Sequence, residues 1–213
     1  MKKSAVVEGL LLFGFMLLAG CPGNRAAEIP MEKGSVEPGT TVIRGEKTFK
    51  LLGTPLAVGN PLPATGMVDA MTLETVDLSR LKGDVLLLSI VPSIDTKVCE
   101  AQTHYLGEEG DKLPATVKRL VLSRDTPFAQ KRFAEEAGLT DIRYLSDYKE
   151  GAFGRQTGLL IEDLMLLARA VIIVDAGGKV RYLQVVPDIA HLPDMEAAFA
   201  RAAELAAKRS DRQ

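Results

Sequence analysis

The sequence predicts an α/β sandwich, and three observations carry that expectation. Val85–Val91 is a short, unbroken, β-prone apolar run; strand and helix patterns alternate from there to Asp175; a hairpin and an amphipathic helix close the chain. With 213 residues, 46% hydrophobic and 25% charged, there is material for one ordinary globular domain and an appendage. No internal repeat and no second domain is evident.

Taken in order, residues 1–21 have the anatomy of a targeting segment. Lys2 and Lys3 supply a basic start, Gly9–Leu18 is apolar, and small residues precede a cysteine in Leu18-Ala19-Gly20-Cys21. That ending resembles a bacterial lipobox, which implies lipidation of Cys21 and a lipid-anchored domain on the extracytoplasmic or periplasmic side of the cell envelope. Glu8 departs from the pattern, since a carboxylate beside the apolar stretch weakens insertion. Residues 22–40 carry Pro22, Gly23, Pro30, Gly34, Pro38 and Gly39 among polar residues, so a flexible tether is expected there, ahead of a domain over 41–213.

Within the domain, Thr41–Val58 reads as short strands with a hairpin turn at Gly53-Thr54-Pro55, and Met67–Leu78 as a weaker strand pair. The buried strand Val85–Val91 follows. Next come a helix over Cys99–Leu113, strand Val117–Ser123, helix Pro127–Ala137 stopped by Gly138, strand Ile142–Leu145 and a short helix Ala152–Thr157. Strands Ala170–Asp175 and Val180–Val186 flank the turn Ala176-Gly177-Gly178, and a helix runs from about Pro193 to Lys208. This order fits a thioredoxin-like sandwich preceded by an N-terminal hairpin.

Charge and composition exclude several functions. The formal net charge is −2 and the basic residues are scattered, so nucleic-acid binding has no support. His104 and His191 stand apart from each other and from further thiols, so no metal is expected, and no cofactor. The two cysteines, Cys21 and Cys99, lie in contexts too different to read as a disulfide.

The chemistry is expected in Pro92-Ser93-Ile94-Asp95-Thr96-Lys97-Val98-Cys99. Pro92 ends the strand, and Cys99 falls in the first turn of the next helix, where unpaired N–H groups and the helix dipole lower a thiol's pKa and favour thiolate. Read singly, each residue has a bland explanation: a buried apolar Cys99, a helix-capping Thr96, a strand-terminating Pro92, and an Arg169 exposed at a strand end beside a carboxylate.

Together they resemble a known site. Pro-x-x-x-Thr-x-x-Cys at a strand-to-helix turn is similar to the peroxidatic motif of the peroxiredoxins. Thr126-Pro127-Phe128-Ala129-Gln130-Lys131-Arg132-Phe133 and Leu167-Ala168-Arg169-Ala170-Val171-Ile172-Ile173-Val174-Asp175 resemble segments of the thiol peroxidase branch. The likeness runs from about Phe49 to the last helix. It implies a redox-active Cys99 at the mouth of a pocket that attacks a peroxide, Thr96 turned towards the sulfur and the bound peroxide, Pro92 as a shield, and Arg169 as the cation that holds the thiolate. It also implies a homodimer. Many members carry a second, resolving cysteine directly after the residue matched by Phe133; here that residue is Ala134. A one-cysteine cycle is therefore expected, with an external thiol reductant or another donor, and membrane placement would favour lipid hydroperoxides.

Other readings on this fold need features that are missing. Disulfide exchange wants Cys-x-x-Cys, and this turn reads Thr96-Lys97-Val98-Cys99. Copper delivery wants a neighbouring thiol and histidine. The remaining rival is a lipid-anchored binding or holdase protein with impaired turnover.

Overall fold

A computed structural model of the chain describes residues 28–139 and 141–210, so Cys21 and the expected targeting segment lie outside the described residues. The strands are β1 (Met31–Glu32), β2 (Thr41–Arg44), β3 (Lys47–Leu52), β4 (Gly66–Asp69), β5 (Thr75–Asp77), β6 (Val85–Ile90), β7 (Val117–Ser123), β8 (Ile142–Ser146), β9 (Leu160–Ile161), β10 (Ala170–Val174), β11 (Val180–Val185) and β12 (Leu192–Pro193). The helices are α1 (Lys97–Glu108), α2 (Pro127–Ala137), α3 (Ala152–Thr157) and α4 (Met195–Ser210).

A seven-stranded sheet in the order β11-β10-β6-β7-β8-β4-β5 forms the middle layer. β6, β7 and β8 run parallel, and β10 pairs antiparallel with β6. Successive side chains of a strand point to opposite faces, and both faces here are covered. Leu86, Leu88 and Ile90 pack with the hairpin side, among Phe49, Phe153 and Ile172; Val85, Leu87 and Val91 pack under the helices, with Leu106, Val171 and Phe199. That double burial explains why the β6 run is apolar without alternation.

The helix boundaries follow local chemistry. Thr126 accepts a hydrogen bond from the Ala129 N–H at 3.3 Å, Pro127 occupies the first turn of α2, and Gly138 closes it at φ 66°. α1 begins at Lys97, two residues earlier than the sequence predicts, so Cys99 is its third residue.

Two expectations are corrected. The hairpin turn lies at Gly45-Glu46 between β2 and β3, not at Gly53-Thr54-Pro55; Gly53 follows β3 and sits against Arg155. The tether expected over 22–40 is laid on the domain wherever it is described. β1 pairs with β12, the Val36 N–H donates to Val185 O at 3.0 Å, and the Gly39 N–H donates to Gly158 O at 2.8 Å. Prolines and glycines suited this stretch to an extended strap as well as to a loose chain.

Candidate active site

The site forms beyond the C-terminal end of β6 and the N-terminal end of β10, where α1 meets the residue ahead of β10. α1 buries Cys99, Gln102, Thr103 and Leu106, a stripe at helical spacing that faces the sheet. Cys99 has no exposed surface, and it is the free cysteine among the described residues. The sulfur expected at a pocket mouth is thus covered, and Ile94 of the loop over residues 92–96 belongs to the same buried cluster. Asp125, just past β7, holds that loop: it accepts from Ser93 Oγ at 2.9 Å and from the Ile94 N–H at 2.7 Å.

Arg169 is 2% exposed. Its Nη2 lies 3.4 Å from Cys99 Sγ, its Nη1 donates to Gln102 Oε1 at 2.7 Å, and its Nε donates to Ile189 O at 3.0 Å. No carboxylate among the described residues pairs with it, so the alternative of an exposed, carboxylate-paired strand-end arginine fails. Burial draws its pKa below the ordinary arginine value, and the adjacent sulfur opposes that shift. A buried guanidinium whose remaining acceptors are neutral turns its charge towards the sulfur.

Gln102 completes the arrangement and was missed by sequence reasoning. Arginine only donates, so Gln102 must present its oxygen; its Nε2 is then taken up by Ser89 Oγ at 2.7 Å. The signal was available, since an amide three residues after Cys99 shares its helix face and Ser89 interrupts an otherwise apolar run. Asp125 and the Ile189 carbonyl left no comparable mark, because their contacts are set by the tertiary fold.

The predicted residues are thus partly united. Cys99 and Arg169 meet, and Pro92 is buried just past β6. Thr96 occupies the N-cap position on the exposed rim, but its hydroxyl donates to Ser93 O at 3.2 Å and makes neither a capping bond nor a bond to the sulfur. Ala134 is buried on α2, on the same side of the sheet as Cys99. A separate cleft of about 890 Å³ opens at the opposite end of the sheet, between Asp69, Lys82, Asp111 and Arg143, and includes none of these residues.

A thioredoxin-like sheet carrying one covered thiol against a buried guanidinium defines a class of thiol-based redox enzymes. The Redoxin family pattern matches residues 57–199. The chain is 43% identical to a thiol peroxidase of Halalkalibacterium halodurans over 157 residues, covering 71% of this chain and 93% of that protein. It is 42% identical to a thiol peroxidase of Listeria monocytogenes, with coverage of 71% and 94%. Among solved structures, the peroxiredoxin-like protein from Aquifex aeolicus matches with a TM-score of 0.74 at 34% identity, covering 80% of this chain and 99% of that one. Thiol peroxidase from Chromobacterium violaceum matches at 0.66 with 21% identity, covering 82% and 99%, a likeness of fold.

The chain belongs to the redoxin family, in the thiol peroxidase branch of the peroxiredoxins. It is a peroxiredoxin-type enzyme, and its activity is thiol-dependent peroxide reduction. The binding or holdase alternative is not favoured.

Proposed function

We propose that the chain is a one-cysteine peroxidase, lipid-anchored through Cys21 in the cell envelope, with Cys99 as its reacting group. The observation that carries the chemistry is the 3.4 Å approach of Arg169 Nη2 to Cys99 Sγ. The thiolate attacks one oxygen of the peroxide, the O–O bond breaks, and the other oxygen leaves as water or an alcohol after taking a proton; sulfur is left as a sulfenic acid. Arg169 stabilises the charge as it passes from sulfur to the leaving oxygen. Thr96, on the rim, offers the hydroxyl that a rotation about χ1 frees from Ser93 O to meet the peroxide.

Ala134 in place of a second thiol supports reduction from outside. An external thiol displaces water from the sulfenic acid to form a mixed disulfide, and a second thiol releases Cys99 as the thiol with an external disulfide as product. The lipobox-like Leu18-Ala19-Gly20-Cys21 supports the anchor, and the anchor favours organic hydroperoxides derived from lipid.

One equivalent of peroxide, followed by a sulfenic-acid trap and mass spectrometry, is expected to label Cys99. Arg169→Lys is expected to slow that oxidation by about 10²–10³-fold. Absence of label on Cys99, or an unslowed Arg169→Lys variant, rejects the mechanism. Mass spectrometry of the mature N-terminus tests the anchor, and an unmodified Met1 rejects it.

A further inference from the structure

The N-terminal segment is tied to the residue that holds Arg169. Ile189, whose carbonyl accepts from Arg169 Nε, lies in the turn-and-bend segment between β11 and β12. Such a segment has no sheet or helix ladder of its own to fix it. The Val186 N–H donates to Arg169 O at 2.9 Å and the His191 N–H to Asp188 O at 2.9 Å, and further bonds go to residues ahead of the family-matched core, which begins at residue 57. The Ile189 N–H donates to Ile43 O at 2.9 Å, the Ile43 N–H to Pro187 O at 2.8 Å, and the Leu192 N–H to Pro30 O at 2.7 Å.

Gln184 joins these contacts. It is 3% exposed, and its amide is fully used. Nε2 donates to Glu32 O at 2.7 Å and Gly34 O at 3.0 Å, while Oε1 accepts from the Asp194 N–H at 2.9 Å and from Tyr182 Oη at 3.4 Å. One residue along, the Val185 N–H donates to Ser35 Oγ at 3.0 Å. Both ends of the 186–193 segment are therefore gripped by the strap over residues 30–36.

We propose that this strap positions the active-site arginine: clasped by Gln184, it holds the 186–193 segment so that the Ile189 carbonyl sits against Arg169 Nε, and so keeps Nη2 aimed at Cys99. A guanidinium has a rigid fork, so an acceptor lost at Nε lets the whole plane turn. An unpaired N–H in a site this buried is costly, and the group relaxes towards another acceptor. The inference rests on the proposed role of Arg169 in oxidising Cys99, and Gln184 is a positioning residue, not a catalytic one.

The test uses the full chain and hydrogen peroxide. In Gln184→Leu, amide exchange over residues 31–36 is expected to quicken, and the second-order rate of Cys99 oxidation to fall by about tenfold, as a displaced catalytic group costs. In an Arg169→Lys background the same substitution is expected to add nothing, because groups acting through one another are not additive. Ser35→Ala, which removes one part-buried strap bond, serves if Gln184→Leu does not fold, and is expected to give a smaller loss with the same dependence on Arg169. An unchanged rate overturns the proposal. So does an equal loss in the Arg169→Lys background, which marks a role in folding alone. An Arg169→Lys variant as fast as the unaltered chain instead rejects the underlying reading of the arginine, and the strap's role falls with it.

Discussion

Gln102 sets the direction of the guanidinium, and two substitutions separate its duties. Gln102→Leu leaves Arg169 Nη1 without its 2.7 Å acceptor; a loss of roughly 1–3 kcal/mol in stability and slower peroxide oxidation are expected. Gln102→Glu keeps an acceptor but adds an anion that competes with the sulfur for the guanidinium. Denaturation is expected to show a stable fold, and stopped-flow kinetics a slower oxidation. Tyr144 gives a prediction of the opposite sign. Its hydroxyl is buried with no hydrogen-bond partner among the described residues, and burial pushes its pKa up to about 12. Tyr144→Phe is expected to stabilise the protein by about 1 kcal/mol, read as a higher Tm; a fall in Tm would show that the hydroxyl has a partner. At this scale the sequence displayed Cys99 and Arg169 but not their geometry. A helix face can be counted along the chain, whereas the three acceptors of Arg169 come from Cys99, Gln102 and Ile189, which only the folded chain brings together.

At the scale of elements, local chemistry decided what could be read. α2 runs from Pro127 to Ala137 as expected, since a capping threonine, a first-turn proline and a terminal glycine all act within a few residues. The hairpin was misread because two glycines compete for its turn. Gly45 takes the turn at φ 60° with open space around it, whereas Gly53, at φ 112°, lies where an added Cβ would stand 2.0 Å from Arg155 O. Gly53→Ala is therefore expected to cost about 3 kcal/mol and Gly45→Ala about 1 kcal/mol, compared by urea midpoints. Similar costs at the two positions would show that close packing against α3 is not what requires Gly53. The strap was illegible for a different reason: Gln184 reaches the Glu32 carbonyl across 152 residues of sequence, through backbone atoms that every residue type supplies.

For the whole molecule, the apolar run at β6 was enough to place the middle of the sheet and the turn bearing Cys99. Strand order needed pairings between distant segments, such as β4 with β8. The outer part of that sheet also carries a pH-sensitive contact. Asp69, nearly buried on β4, receives Arg143 Nε at 2.6 Å. Burial raises its pKa, but Arg143 and the Met71 and Thr72 N–H groups outweigh this and hold it below the usual carboxylate value of 3.8. A depressed folded pKa stabilises the fold above 3.8, and that contribution is lost as pH falls through the lower folded value. Urea denaturation between pH 5 and pH 2 is expected to show a smaller acid loss in Arg143→Leu than in the unaltered chain; an identical acid limb would assign the loss to other carboxylates.

Since none of Cys99 reaches solvent, selection of the oxidant is expected to act at admission before it acts at grip. Contact with the sulfur is expected to need a parting of the turn ahead of α1, wider for a lipid-derived hydroperoxide than for hydrogen peroxide, so a membrane anchor would favour the former through local concentration and not through easier entry. Discrimination among oxidants thereby becomes a property of how often the lid parts, and a viscous or cold medium penalises the larger molecule more heavily.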